Sequence, residues 1–513
     1  MSKLMVNVPL NRVEGDLEIR AEIVDGRVSE AWACGTLYRG FERILVGRAA
    51  LDGLVITPRI CGICTTAHLT AAARALDAIA GTAPPASAVA IRNVALMAEH
   101  IQSDLRHTFL MFAADLVNPA YAGEPLFEEA MRRYEPFRGE TAIETIRETK
   151  KLVELLTIVG GQWPHSSFIV PGGLVSVSSP GDLLQCRLLL RRFRQWYQSR
   201  ILGCAIERWA EVRSTADLDR WLEESEAHRN GDLGFCLRFM RATGLDQIGR
   251  GTGSFLSFGS LDLPGGTAVR APAGGGQFVP AGFLAPGGGV SEFHEEKVTE
   301  HVACSWFQDD EEARHPMRGE TRPYATGQES AKYSWAKAPR YEGSPAETGP
   351  LAEALIAGNP LFSDLVRGQG PNVLVRQLAR LARPAELMPA METWLSEAAQ
   401  DPTFYKTPGE ITEGEGVGLI HATRGALGHW VRIEQGTISH YQIVTPTAWN
   451  ASPRDGGGAP GPIEQALAGT PVRDAANPVE LGHVVRSFDP CLVCTVHALQ
   501  RGRSAGRVIV GAL

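Results

Sequence analysis

Two cysteine pairs stand near opposite ends of the chain, and each is followed within four residues by a histidine. The first pair is Cys61 and Cys64, and the second is Cys491 and Cys494. Two intervening residues let both sulfurs of a pair point to one side of a tight turn, where they can share a metal ion. Four thiolates make a soft site, which favours zinc, an iron-sulfur cluster or nickel over magnesium or calcium.

A lone C-x-x-C pair is most often a structural zinc site or a redox pair. Zinc ribbons bring their two pairs together over a spacing of roughly fifteen to twenty residues, because the metal nucleates a small fold. Here more than four hundred residues separate Cys64 from Cys491, which opposes a zinc ribbon. The lack of a βαβ pattern and the position of the second pair near the chain end oppose a thioredoxin-like site.

The segments around both pairs extend the pattern. The first reads R-x-C-G-x-C-x-x-x-H over residues 59–68, and the second reads D-P-C-x-x-C-x-x-H over residues 489–497. At these residues the chain resembles the large subunit of nickel-iron hydrogenases, whose two metal signatures have this form. Similar stretches run over essentially the whole chain: RVEG at 12–15, RGFE at 39–42, GGQWPH at 160–165, PGG at 171–173, YSWAKAPRY at 333–341, RGALGHW at 424–430 and YQIVTPTAWN at 441–450.

The resemblance implies a buried nickel ion held by four cysteines. These are Cys61, Cys64, Cys491 and Cys494, of which Cys64 and Cys494 also bridge to an iron that carries carbon monoxide and cyanide ligands. Splitting H2 into a proton and a hydride needs a Lewis acid for the hydride and a base for the proton, and a terminal thiolate beside the metal can be that base. We assign this role to Cys491.

Glu14 matches the glutamate of the family's R-x-E-G element, so the resemblance implies that it carries the proton away from the site. The alternative is an exposed carboxylate paired with Arg12. The family often has a histidine after the glycine, where this chain has Asp16. We interpret this difference as subgroup variation.

Arg424 matches the arginine that in the family overhangs the open side of the metals, where it can donate hydrogen bonds to a cyanide or to hydrogen in transit. Taken alone it would be a salt-bridge arginine. Asp104 and Asp489 align with the carboxylates that hold this arginine. Asp104 also falls on an apolar helix stripe, where a carboxylate needs a partner. The preceding residue, Thr423, stands where a proline is common.

Further residues are expected around the diatomic ligands. Thr447, with Pro446, matches the hydroxyl residue that hydrogen-bonds the second cyanide, and the alternative is a plain strand hydroxyl. Leu427 belongs to the same surroundings. His68 follows Cys64 by one helical turn and is expected to hydrogen-bond a cysteine sulfur and not to bind metal.

A second, harder metal position is also implied. Glu42, the backbone carbonyl of Ile443, and His497 match a magnesium site that ties the C-terminus to the N-terminal half. Oxygen ligands and water suit magnesium, whereas a histidine among them is less usual. The remaining cysteines are isolated and read as buried apolar side chains: Cys34, Cys186, Cys204, Cys236 and Cys304.

No C-x-x-C-x-x-C run exists to hold an iron-sulfur cluster, so electrons must leave through another protein. The family pairs its large subunit with an iron-sulfur small subunit, which implies an obligate heterodimer. Two alternatives within the fold are a hydrogen sensor that signals to a kinase, and a relative of the quinone-side subunit of respiratory complex I. The second is disfavoured because all four cysteines are present.

The sixteen residues after His497 favour the catalytic class. Catalytic precursors of the family carry such a tail, which an endopeptidase removes after a maturation chaperone has helped to insert the metal, whereas sensors commonly lack it. We therefore expect one catalytic body over residues 1–497 and a removable extension over 498–513. Uptake of hydrogen is the favoured direction.

Composition and charge exclude several classes of protein. Apolar residues make up 44% and charged residues 21% of the chain, which is typical of a soluble folded protein. A net charge of −8 makes nucleic-acid binding an unlikely task. No run of about eighteen uncharged apolar residues and no export signal are found, so we expect a cytoplasmic protein, or one that reaches a membrane only through its small subunit.

The elements that must position these residues are mostly helical. Patterns predict a half-buried strand over 17–23 with a turn at Asp25-Gly26. Helices are predicted over 65–79, 87–117, 140–159, from 180 to about 210, and within 351–399. Gly- and Pro-rich loops with short strands are predicted over 249–289, and strands and turns over 417–450. The fold class is α+β, predominantly helical, with a central bundle of long helices and small peripheral sheets, as in the large subunit that the chain resembles.

Overall fold

The computed structural model describes residues 3–176, 178–270, 275–310, 312–326 and 330–495. The helices are α1 Phe41–Leu45, α2 Gly53–Ile56, α3 Thr65–Ile79, α4 Ala86–Arg106, α5 Phe127–Tyr134, α6 Glu140–Gly160, α7 Pro180–Trp196, α8 Ile206–Trp209, α9 Thr215–Glu224, α10 Glu226–Asn230, α11 Asp232–Ala242, α12 Pro350–Ile356, α13 Pro360–Gln369, α14 Val373–Ala398, α15 Pro446–Asn450, α16 Pro462–Leu467, α17 Val479–Ser487 and α18 Leu492–Thr495. The strands are β1 Lys3–Leu10, β2 Leu17–Val24, β3 Arg27–Gly35, β4 Ile169–Val170, β5 Gly173–Leu174, β6 Phe255–Asp262, β7 Gln277–Leu284, β8 Val290–Ser291, β9 Val298–His301, β10 Ala338–Tyr341, β11 Gly414–Ala422, β12 Gly425–Glu434 and β13 Thr437–Val444.

Four long helices form the predicted central bundle. Helix α4 packs against α6 and α14, and α7 packs against the same two helices, so the four close a ring. Helix α7 begins with a capping box between Ser179 and Asp182 and has Pro180 at its first position, where the missing N–H costs nothing. The prediction of one helix from 180 to 210 was wrong in length. A π-helical turn over Tyr197–Leu202 follows α7, and Gly203 then adopts a left-handed conformation (φ 74°) that ends the helical run.

The strands form small antiparallel sheets, as predicted. Asp25 and Gly26 have φ of 49° and 77° and form the tight turn between β2 and β3. A second hairpin joins β11 to β12 through two residues only, Thr423 and Arg424, since Ala422 pairs directly with Gly425. Strand β13 completes this second sheet.

Helix α3 lies directly on this second sheet, and its bounds are those predicted. A Cβ atom on Gly418 would lie 1.9 Å from the carbonyl oxygen of Ala71, and one on Gly416 would lie 2.1 Å from that of Ala75. The helix therefore runs antiparallel to β11. Its N-terminal end, which follows Cys64, consequently meets the tip of the β11–β12 hairpin.

Within the described ranges, no helix is both long and apolar enough to cross a membrane. Charged and polar side chains instead interrupt the buried helices, including His100 and Asp104 on α4. The buried polar groups of these helices surround the meeting point of α3, the β11–β12 hairpin and the C-terminal segment.

The contact between α3 and β11 gives a first prediction. Gly418→Ala should destabilise the protein by about 1–3 kcal/mol, because the added methyl group overlaps backbone atoms of α3 that cannot move alone. Thermal unfolding measures the change. Gly368→Ala in α13 is the control, since a Cβ there meets nothing within 4 Å and alanine favours a helix. Equal melting temperatures for Gly418→Ala and wild type would contradict the packing argument.

Candidate metal centre

Three of the four predicted cysteine ligands come together in the interior. The Sγ atom of Cys61 lies 3.4 Å from that of Cys64 and 3.7 Å from that of Cys491. All three side chains are at most 3% exposed, and their sulfurs could bind one metal ion. Cys494 lies one helical turn after Cys491 in α18, but its side chain is outside the described residues, so its role stays a prediction.

Backbone hydrogen bonds hold the two cysteine loops together. The carbonyl oxygen of Glu14 accepts the N–H groups of Leu492 at 2.6 Å and Val493 at 3.3 Å. Gly15 makes this approach possible, because a Cβ there would lie 2.9 Å from the nitrogen of Val493. The guanidinium of Arg39 donates to the carbonyls of Ile60 and Val493, one in each loop. The N-terminal segment thus ties both loops to each other.

The surroundings of the sulfurs favour the charged thiolate form. The N–H groups of Ile63 and Cys64 each donate to Cys61 Sγ at 3.4 Å. The Nη1 group of Arg424 donates to Cys64 Sγ at 3.2 Å. Hydrogen bonds and a nearby cation stabilise a thiolate, which is the form that binds metal. The residues present therefore fit a soft, positively charged metal centre.

Arg424 contacts both the side chain and the backbone of Asp489. Its Nε atom lies 3.0 Å from Asp489 Oδ1 and donates to the carbonyl of the same residue at 2.8 Å. His107 Nδ1 lies 2.8 Å from the same carboxylate oxygen. Burial disfavours the charged carboxylate, but Arg424 and His107 outweigh it and lower the pKa of Asp489 to about 2. Asp489 is therefore ionised and fixes the orientation of the guanidinium.

The partner predicted for Asp104 was wrong. Asp104 accepts hydrogen bonds from Nε and Nη2 of Arg383, both at 2.8 Å, and not from Arg424. Asp104 lies on the side of α4 that packs on α14, which carries Arg383. The adjacent Ser103, and not Asp104, lines the cavity beside Arg424.

Glu14 lines that same cavity, whose volume is about 200 Å³ and which Arg424 and Asp489 also border. Burial raises the pKa of the Glu14 carboxyl, while the charge of Arg424 opposes the rise. The alternative pairing with Arg12 is not found, because the guanidinium of Arg12 binds Asp115. Glu14 is thus a half-buried carboxyl whose pKa has moved towards neutrality, next to the cysteines.

Thr447 also contacts the cysteine loop. Its hydroxyl oxygen accepts the N–H of Cys491 at 2.9 Å, which leaves its proton available for donation. Pro446 is the first residue of α15, and Leu427 lies in β12, and both are buried. Thr447 is therefore tied directly to a cysteine of the cluster.

His68 has a different neighbour from the one predicted. Its Nδ1 atom lies 3.1 Å from Nε2 of His429, whose Nδ1 lies 2.8 Å from the hydroxyl of Tyr441. Among the described side chains its ring partner is a histidine and not a cysteine sulfur. Burial lowers the pKa of His68 to about 4, so the ring is neutral.

Two of the predicted magnesium ligands are neighbours. Glu42 Oε1 accepts the N–H of Ile443 at 3.0 Å, while His497 lies outside the described residues. The ammonium of Lys337 lies 3.7 Å from Glu42 and 3.3 Å from Glu300, and all three side chains are buried. Two carboxylates thus share one cation, and the remaining negative charge suits a hard divalent ion.

Sequence reasoning missed two residues beside the cysteines. Glu99 on α4 accepts the N–H groups of Thr66 at 2.7 Å and Ala67 at 3.1 Å, and so caps the start of α3 directly after the first cysteine pair. Burial raises its pKa to about 8. The other is His107, the partner of Asp489. A glutamate within the apolar run of α4 was the available signal for Glu99.

Comparison with known proteins agrees with this geometry. A family model described as nickel-dependent hydrogenase matches residues 39–132 and 140–497. The periplasmic [NiFeSe] hydrogenase large subunit of Desulfomicrobium baculatum is 31% identical over 96% of this chain and 94% of its own length. The uptake hydrogenase large subunit of Rhodobacter capsulatus is 28% identical over 97% and 95%. The solved structure of H2-activated [NiFeSe]-hydrogenase from Dm. baculatum superposes with a TM-score of 0.80 at 28% identity, over 97% of this chain and 100% of that one.

The sulfur cluster gives a second prediction. Cys61→Ser, Cys64→Ser and Cys491→Ser should each reduce bound nickel to background, because a hydroxyl is a harder and far less acidic ligand than a thiol. Elemental analysis of the purified variants measures the nickel content. Cys304→Ser is the control, because Cys304 lies outside the cluster. Full nickel content in Cys61→Ser would show that the cluster is not the nickel site.

Proposed function

The chain belongs to the nickel-dependent hydrogenase family, and from that premise we propose that it is the catalytic large subunit of a nickel-iron hydrogenase that oxidises H2 by heterolytic cleavage. The observation that carries the proposal is a cluster of three buried cysteine sulfurs that Arg424 contacts through Cys64, while Arg424 and the half-buried Glu14 line one cavity. Uptake of hydrogen is the favoured direction, and uptake hydrogenases are among its relatives.

Cys61, Cys64, Cys491 and Cys494 would hold the nickel, and Cys64 and Cys494 would be shared with an iron that carries carbon monoxide and cyanide. When bound, this pair of metals supplies the Lewis acidity that polarises H2. The donors on Cys61 and the cation beside Cys64 support thiolate ligands here.

The protein's own groups then move the proton. The thiolate of Cys491 is the first base, and Glu14 receives the proton from it and carries it away from the site. The backbone carbonyl of Glu14 binds the two residues that follow Cys491, and its carboxyl lines the cavity that Arg424 also borders. A carboxyl with a raised pKa accepts and releases a proton near neutral pH more evenly than an ordinary one.

Arg424 and Thr447 orient the remaining ligands. The guanidinium of Arg424, fixed by Asp489, would donate hydrogen bonds to one cyanide from the open side. The hydroxyl of Thr447 would donate to the second cyanide, since its oxygen already accepts from Cys491. Pro446, Leu427 and His68 would complete the surroundings of the metals.

A magnesium ion would bind Glu42, the carbonyl of Ile443 and His497. Its support is the excess negative charge at Glu42 and Glu300. Electrons would pass to an iron-sulfur small subunit, in keeping with relatives named as large subunits or large chains. Any association with a membrane would run through such partners.

The third prediction concerns Glu14. Glu14→Gln should lower turnover and hydrogen-deuterium exchange by about 10²–10⁴-fold, because a carboxamide cannot relay a proton. The infrared bands of metal-bound carbon monoxide and cyanide should persist in this variant. Glu18→Gln on β2 is the matched control, since the carboxylate of Glu18 pairs with Arg20 and lies outside the cavity. Near-normal turnover in Glu14→Gln would place the proton exit elsewhere.

The fourth prediction concerns the C-terminal extension over 498–513. Arg501, Arg503 and Arg507 cannot follow His497 into a buried metal site without uncompensated charge, and the family match ends at residue 497. We expect a maturation chaperone and an endopeptidase to act before the site closes, so that the active subunit ends at His497. Intact mass of active heterodimer checks this. A fully active subunit that retains 498–513 would refute obligatory processing.

A further inference from the structure

The tip of the β11–β12 hairpin is buried, which is unusual for a turn. Thr423 is 1% exposed and Arg424 is 4% exposed. Turns normally lie at the surface because their backbone groups need partners, and a buried turn must find those partners within the protein. The groups that bind this backbone therefore decide where the side chain of Arg424 lies.

Arg383 on α14 supplies one of these partners. Its Nη2 group donates to the carbonyl of Thr423 at 2.8 Å, one residue before Arg424. Its Nε and Nη2 groups donate to the two carboxylate oxygens of Asp104, both at 2.8 Å. Its Nη1 group lies 3.0 and 3.1 Å from the two carboxylate oxygens of Glu353. All three nitrogens of this guanidinium are thus engaged, so its fork is fixed by three separate groups and cannot follow a displaced hairpin.

The start of β12, just after the hairpin tip, is held by a separate set of contacts. The hydroxyl of Thr348 accepts the N–H of Ala426 at 2.8 Å. The side chain of Asn450 in turn accepts from the N–H of Thr348 at 3.0 Å and donates to its carbonyl at 2.9 Å. Arg383 therefore binds the backbone just before Arg424, and Thr348 binds the backbone just after it.

We propose that Arg383 is a positioning residue for the hydrogenase reaction, which acts by holding the carbonyl of Thr423 and thereby sets the position of the Arg424 guanidinium over Cys64. Asp104 acts indirectly, because it binds Arg383 and holds the guanidinium of that residue in place. This inference rests on the role proposed for Arg424. It also gives the buried Asp104 a function, although Asp104 bonds to Arg383 and not to Arg424.

The side chain of Thr423 does not take part in the hydrogen bonds that position Arg424. Its hydroxyl is buried without a hydrogen-bond partner among the described residues, whereas its carbonyl is the group that Arg383 binds. Thr423→Ala should therefore leave the position of Arg424 unchanged, and this variant separates an effect of the carbonyl from one of the side chain.

The fifth prediction tests Arg383→Lys, which keeps the charge but loses the fork. Crystal structures should show Arg424 Nη1 moved out of hydrogen-bonding reach of Cys64 Sγ. H2 oxidation should fall about ten- to a hundredfold, as is typical when a group that orients a metal's surroundings is lost. The cyanide stretching bands in the infrared should shift in the same direction as in Arg424→Lys.

Arg376→Lys is the matched control. Arg376 lies on the same helix, is buried, forms a similar bidentate pair with Glu347, and donates to the carbonyl of Gly249 instead of the hairpin. It should lose stability as Arg383→Lys does, but keep wild-type cyanide bands. Equal band positions in both lysine variants and wild type would overturn the proposal.

A double variant shows whether Arg383 acts through Arg424. Arg383→Lys in an Arg424→Lys background should lower activity by less than threefold, whereas independent roles would multiply the two losses. Should Arg383→Lys fail to fold, Asp104→Asn keeps the arginine and should produce a smaller band shift of the same sign. Wild-type protein without cyanide bands would refute the proposed function alone, because the distance from Arg424 to Cys64 in the crystal still tests the role of Arg383.

Discussion

The carbonyl of Glu14 receives two N–H groups from the residues after Cys491, and the rest of the site depends on this contact between the two ends of the chain. Neither cysteine pair can make the cluster alone. The contact requires a residue without a Cβ at Gly15, and the Glu14 carboxyl lines the cavity that Arg424 and Asp489 also border. One short backbone interaction thus joins the second cysteine loop to the segment that carries Glu14.

Buried charge is the second constraint. Helix α14 carries Arg376 and Arg383 into the core, where Glu347, Asp104 and Glu353 neutralise them. Such pairs add little stability over apolar residues of similar size, because desolvation offsets most of their attraction, but removing one partner is costly. We therefore interpret these buried ion pairs as groups that fix the positions of side chains, with little net gain in stability. All three guanidinium nitrogens of Arg383 donate hydrogen bonds, and one of these bonds reaches the hairpin that carries Arg424.

Sequence alone predicted much of this arrangement. The bounds of α3 were correct because its alanine-rich run ends at a glycine, and the spacing of Cys61 and Cys64 predicted adjacent sulfurs. The partner of Asp104 was not predictable, since helical periodicity gives the face on which a side chain lies but not which of several buried arginines packs against it. Glu99 was missed for a related reason. It lies on α4 but caps the N-terminus of α3, and no local sequence motif predicts a cap that comes from another helix.

The close contact of α3 with β11 has a consequence for the chemistry of the site. Glycines bring the two backbones together, so the cysteine loop before α3 and the turn that carries Arg424 after β11 are attached to the same closely packed pair of elements. This packing restrains the separation between the Cys64 sulfur and the Arg424 guanidinium. A charge that develops between them during a reaction meets dipoles that are already oriented, so the reorganisation energy of the surroundings stays small.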